Sequence, residues 1–171
     1  QDESLGKAVR DKATIVPVPS GKPKPQGRIG EFVSIYFSIL GNEVRYWEEH
    51  FFRALPSLIE QYRPEAFLAT VPPFSVLPLV RKAAACYRLP LLLDFRDAWS
   101  QWRTLPFGTR IHYWVNLALE RKYLSVADAV IATSQQTLRD FRRLHPRIPA
   151  SRFHYIPNGY DRDLATWQPI D

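Results

Sequence analysis

The chain has 171 residues, 46% hydrophobic and 23% charged, a composition that fills one ordinary globular domain and excludes a disordered or fibrous polypeptide. No stretch approaches the ~20 consecutive apolar residues of a membrane-spanning helix, and a single cysteine, Cys86, excludes an internal disulfide. The formal net charge of +6 comes mostly from arginine, 17 against 6 lysines, so acidic partners such as phosphates and carboxylates suit this surface.

Residues 1–12 are polar and aperiodic and read as a tail or loop remnant. Ala13–Pro19 reads as an edge strand, because Pro17 and Pro19 cannot donate to a ladder. Residues 20–27 are a Gly/Pro/Lys loop. Residues 30–40 are rich in β-branched and aromatic side chains; their periodicity leaves helix and strand open. Asn42 is placed to cap a helix running from Glu43 to about Tyr62, with Pro56 kinking or dividing it. A strand over Ala66–Thr70 follows, then a helix over Phe74–Tyr87 with Pro78 in its first turn. Cys86, in an apolar run, is expected to be a small buried residue, and a lone unpaired thiol suits a reducing compartment. Pro90–Asp94 is the next strand. A helix over Thr109–Ser125 is expected to bury Ile111, Trp114, Val115, Ala118 and Leu119. A strand over Ala129–Thr133 leads to a helix over Gln135–Leu144, capped by Ser134 and packed through Leu138, Phe141 and Leu144. Phe153–Ile156 is a last strand. This alternation predicts an α/β, Rossmann-like domain over residues 13–160, with a mostly parallel sheet covered by helices on both faces.

Ligands of open α/β sheets bind at the carboxyl ends of the strands. The loops Pro72-Pro73-Phe74-Ser75, Asp94-Phe95-Arg96-Asp97 and Thr133-Ser134 are therefore expected to converge on one cleft. Asp94, Arg96 and Asp97 offer charged groups for hydroxyls or phosphates; an internal Arg–Asp ion pair, with Asp94 as the partner, is the structural alternative. Phe74 and Ser75 open a helix whose first N–H groups are unpaired. Trp99 and Trp102 can stack on a sugar ring or pack beneath the loop. Ser134 reads first as an N-cap, and Asn158-Gly159 as a turn.

Four segments in order carry a resemblance: Tyr62–Ser75 with its Pro-Pro loop, Leu91–Ser100 with Asp-Phe-Arg-Asp-Ala-Trp, Glu120–Ser134 ending in Ala127-Asp-Ala-Val-Ile-Ala-Thr-Ser134, and Ile156-Pro-Asn-Gly-Tyr-Asp161. Together they resemble the amino-terminal half of family 4 ("group 1") glycosyltransferases, with Ala98 where that family usually has proline. The resemblance implies one half of a GT-B fold: an acceptor-side domain, with residues 161–171 starting the hinge to a donor domain that this chain does not include. It implies a retaining transferase that moves a sugar from a nucleotide-sugar co-substrate to a glycan or lipid-linked acceptor, with no metal and no other cofactor, the fragment alone being inactive. Arg96 and Asp97 would then be catalytic; Pro73, Phe74, Ser75, Asp94, Trp99, Ser134, Asn158 and Gly159 would bind substrate. The donor domain would be the principal partner. Surface-polysaccharide or glycolipid synthesis on the cytoplasmic side follows by the same resemblance. Arg139, Arg142, Arg143, Arg147 and Arg152 would approach anionic membrane or form a solvated face.

Other readings are a non-catalytic sugar- or protein-binding module and a GT-B sugar-nucleotide epimerase. A nucleic-acid role ranks last, since the arginines are scattered over several elements and no recognition motif is present.

Overall fold

The computed structural model describes residues 13–19, 46–101 and 109–159. Helix α1 (Glu48–Tyr62) leads into β1 (Phe67–Val71), α2 (Val76–Tyr87), β2 (Leu91–Phe95), α3 (Arg110–Val126), β3 (Ala129–Ala132), α4 (Gln135–Leu144), a 3-10 turn (Ala150–Arg152) and β4 (Phe153–Tyr155). The four strands form one sheet in the order β1-β2-β3-β4, all parallel. The Rossmann-like α/β architecture predicted from the alternation is what the chain adopts.

The register sorts the strand residues onto two faces. Phe67, Ala69 and Val71 line up with Leu91, Leu93 and Phe95, and then with Val130, Ala132, Phe153 and Tyr155. All of these but Phe67 and Tyr155 are buried, and they form one core with Leu77, Val80 and Ala84 of α2, Tyr123 and Leu124 of α3 and Phe141 of α4. Aromatic rings tie the layers together. Phe95 meets Phe141 edge-on at 5.0 Å, and Phe141 lies 6.3 Å from Phe153. A strand order that advances one neighbour at a time, with right-handed crossovers, puts α2, α3 and α4 on the same side. The opposite face carries Leu68, Thr70, Leu92, Asp94, Ala129, Ile131 and His154, and none of these belongs to the core. Leu68 is 63% exposed. Among the described residues the core cluster lies on the first of these faces, while Leu92, Ala129 and Ile131 on the second are part-buried.

Several local expectations need correction. Ala13–Pro19 is described but pairs with none of the described strands. With Pro17 and Pro19 unable to donate, every second N–H of a ladder would be missing; Val18 instead offers its carbonyl to Trp47 Nε1 at 3.0 Å. Helix α1 begins at Glu48, with Glu48 and Glu49 favourably placed against the helix dipole. Pro56 sits inside it without dividing it. Residues 20–45, including Asn42 and the apolar run 30–40, lie outside the described residues.

Cys86 is exposed, not buried. The buried residues of α2 are Leu77, Leu79, Val80, Ala83 and Ala84; Cys86 lies beyond the last of them, in the final turn of the helix. In α3 the buried residues are Asn116, Leu117, Glu120, Tyr123 and Leu124, whereas Ile111 and Trp114 face outward. Burial pushes the Tyr123 phenol pKa up, partly offset by the Arg81 charge.

Candidate functional site at the strand carboxyl ends

Parallel strands deliver all their carboxyl ends to one edge. Past those ends the ladder continues for one residue each: Arg96 N–H to Val71 O at 2.9 Å, Thr133 N–H to Phe95 O at 3.3 Å, and Ile156 N–H to Ala132 O at 3.1 Å. The loops after β1, β2 and β3, and the segment after β4, therefore share one rim, as the sequence predicts.

Side chains then bind that rim laterally. Asp94 is 5% exposed. Its Oδ2 accepts from Thr70 Oγ1 at 3.2 Å and from Arg96 Nε at 2.8 Å. Arg96 Nη1 reaches across the rim to Asn158 Oδ1 at 2.5 Å. Thr133 Oγ1 donates to the Arg96 carbonyl at 2.9 Å. One arginine thus connects the ends of β1, β2, β3 and β4. Its side chain is still 47% exposed, and Nη2 has no partner among the described residues. A guanidinium has five N–H donors, so donors remain for an anion or a hydroxyl.

The other predicted residues divide into rim and core. Asp97 is exposed and makes no hydrogen bond or ion pair with the described residues. Pro73 is exposed, and Ser75 is half-buried at the N-cap of α2, with Val76 N–H and Leu77 N–H turned back to Pro73 and Phe74. Phe74 and Trp99 belong to the core. Their rings stack at 4.6 Å and 10°, Trp99 is 0% exposed, and its Nε1 donates to Asn116 Oδ1 at 3.0 Å. No face of Trp99 is left for a sugar ring, so the packing alternative is the one observed. Trp102 lies outside the described residues. Ser134 Oγ accepts from Thr137 N–H at 3.0 Å and meets Thr137 Oγ1 at 2.8 Å, an N-cap. Asn158 and Gly159 are exposed at the end of the described residues, and a side chain at Gly159 would enter open space.

The basic cluster is partly structural. Arg142 Nη2 donates to Phe153 O and Ala150 O at 3.0 and 3.3 Å, and Arg152 Nη1 to Ser125 O and Ala127 O at 3.1 and 3.3 Å. The Arg152 contacts satisfy carbonyls that the end of α3 leaves unpaired. Arg143 pairs with Asp140, and Arg147 is exposed. Among the described residues no group of His, Cys, Asp and Glu could hold a metal ion, and no helix is long and apolar enough to cross a membrane.

Sequence reading missed a buried polar cluster behind the rim. Glu120 on α3 is 0% exposed. Its Oε2 accepts from Ser100 N–H at 2.8 Å; its Oε1 accepts from Ser100 Oγ at 2.9 Å and Gln101 Nε2 at 2.9 Å, and lies 2.6 Å from His145 Nε2. Asn116 and Glu120 are one turn apart and in step with Leu117, Tyr123 and Leu124. That two-polar stripe was the available signal, masked by the more apolar stripe beside it.

A parallel sheet with a single polar rim at its carboxyl ends defines a Rossmann-like domain of the kind that binds ligands at that edge. The family described as Glycosyl transferase 4-like domain matches residues 9–159. The chain belongs to that family, which makes it a glycosyltransferase-type domain. No curated protein matches the chain.

Proposed function

We propose that this chain is the acceptor-side domain of a GT-B retaining glycosyltransferase, acting with a donor domain that binds the nucleotide sugar. The observation that supports this reading is the shared rim: Arg96, braced by Asp94 and Asn158, beside the unengaged carboxylate of Asp97. Glycosyl transfer requires that an acceptor hydroxyl be held against the anomeric carbon, and that charge on the leaving phosphate be balanced as it develops. The remaining Arg96 donors suit phosphate or vicinal hydroxyl oxygens. Asp97 suits the acceptor hydroxyl, accepting its hydrogen and fixing its direction. Pro73, Ser75, Asn158 and Gly159 flank the two charged groups and would contact substrate. Phe74 and Trp99 act in this scheme by supporting the rim from below.

In this reading the acceptor is a glycan or lipid-linked saccharide met on the cytoplasmic side. Arg147 and the exposed parts of Arg139 and Arg143 are the groups available to an anionic membrane. No cofactor is required beyond the nucleotide sugar.

The test is to incubate the full-length protein with a panel of nucleotide sugars and glycan or lipid-linked acceptors. Mass spectrometry then detects the mass added to the acceptor, and NMR reads the anomeric configuration. Transfer with retention is expected. Sugar binding without transfer would replace the proposal with a non-catalytic module; interconversion of the nucleotide sugar itself would replace it with an epimerase.

A further inference from the structure

We infer that Glu120 is a positioning residue for the rim: its buried carboxylate fixes the loop after β2, which carries Arg96 and Asp97, by gathering donors of that loop onto helix α3. The inference rests, for its functional half, on the acceptor-side reading above.

The donors come from few places. Ser100 supplies its backbone N–H and its hydroxyl, and Gln101 supplies its side-chain amide. The remaining neighbour is His145, which follows the last residue of α4. An ionised carboxylate offers about four lone-pair sites, and four donor groups converge on this one. The site is therefore filled, and mostly by one loop. Simple packing does not require such a group here. A core in which the charge and its polar partners were all replaced by apolar side chains of similar volume would generally be at least as stable, and Leu117, Tyr123 and Leu124 already fill the rest of this face. His145 Nδ1 and Gln101 Oε1 are left without a hydrogen-bond partner among the described residues, so the arrangement favours the carboxylate contacts over full satisfaction of its neighbours.

The consequence falls on Asp97. The loop is tied at its start by Arg96, through Val71, Asp94 and Asn158. It is tied at its end by Trp99, through Phe74 and Asn116, and by Ser100 through Glu120. Only Asp97 and Ala98 lie between those anchors. Asp97 makes no hydrogen bond or ion pair with the described residues, so its position is set by the ties on either side. Release of the Ser100 tie would leave a carboxylate that is present but badly aimed, and a displacement of about 1 Å in a reacting group costs up to ~10²-fold in rate.

The experiment compares the full-length wild type with Glu120→Gln and Glu120→Leu. Glutamine keeps the volume but replaces one accepting oxygen by an NH2 that faces other donors; leucine removes both acceptors. Hydrogen exchange read by mass spectrometry should show protection over residues 96–101 falling about tenfold or more in both variants, while residues 91–95 and 129–132 keep theirs. The melting temperature of Glu120→Leu should fall, because the buried donors of Ser100, Gln101 and His145 lose their acceptor; the place where protection is lost, not the size of the drop, reads the loop. Glu120→Gln serves if the leucine variant does not fold. In transfer assays the acceptor KM should rise and kcat fall while the KM for the nucleotide sugar stays level. Unchanged protection over 96–101, or protection lost evenly across the sheet, would overturn the inference. A wild type that transfers no sugar would remove the functional reading and leave the exchange measurement to decide the loop.

Discussion

Arg96 and Asp97 are neighbours with opposite structural situations, and substitutions should separate them. Arg96 is braced by Asp94, Asn158 and Thr133. Lysine cannot reproduce a planar fork that meets two acceptors at once. Arg96→Lys is expected to lower the melting temperature slightly and kcat by about 10²-fold, the size of effect seen when one preorganised donor is lost. A lowered melting temperature with unchanged kcat would reduce Arg96 to a brace for Asp94. Asp97 has no described partner, so Asp97→Ala should shift stability by less than about 0.5 kcal/mol while abolishing most turnover in the full-length enzyme; unchanged turnover would remove Asp97 from the site. A third residue tests the backbone alone. Arg88 ends α2 with φ 54°, in the left-handed region, its N–H on Ala84 O. A side chain there costs roughly 1 kcal/mol, and glycine is the residue helices prefer at that place. Arg88→Gly should raise the melting temperature by about 2 °C, measured by calorimetry, with no change in activity.

Helices α3 and α4 show what a stretch of sequence does and does not reveal about itself. The bounds of α4 were legible to the residue because its signals are local: Ser134 as cap, Phe141 in the buried stripe and Arg142 and Arg143 in the last turn. Ser134→Ala removes the hydroxyl that accepts from Thr137 N–H and should cost about 1 kcal/mol in urea unfolding. A loss of turnover beyond that shared by other variants of equal stability would show Ser134 touching substrate as well. The span of α3 was legible, but its buried face was not. Periodicity weights apolar residues, so the stripe through Ile111 and Trp114 outscored the one through Asn116 and Glu120. Only the tertiary partners of Asn116 and Glu120, Trp99 and Ser100, explain why polar side chains sit inside. Cys86 misled in the same way: the run of alanines before it says that a helix is small-faced, not which side turns inward. Phe74 and Trp99 looked like site residues because they neighbour Ser75 and Asp97 in the chain. In space their size and apolar surface draw them beneath the rim.

At the scale of the molecule, the convergence of the strand tips was deducible, because alternating strands and helices dictate a parallel sheet and a parallel sheet has one carboxyl edge. Which face the helices take was not deducible from the strands alone. Short runs such as Phe67–Val71 and Leu91–Phe95 are apolar at nearly every position, as in sheets buried on both sides. Yet the core gathers Leu93, Phe95, Val130 and Ala132 on one face and leaves Leu68 on the other. The two faces should therefore respond differently to substitution. Leu93→Ala, at 0% exposure, should cost about 2–5 kcal/mol. Leu68→Lys, on a position paired with Leu92 in the same sheet, should cost less than about 0.5 kcal/mol if the second face meets solvent. Chemical unfolding of both variants in the full-length protein measures the asymmetry. A cost above about 2 kcal/mol at Leu68 would mean that this face is covered in solution, since a lysine ammonium tolerates an open surface but not an apolar interface without a partner. The cover would then have to come from outside the described residues. The rim residues would be unaffected by that outcome, because Thr70 and Asp94 are already held to Arg96 at the carboxyl edge.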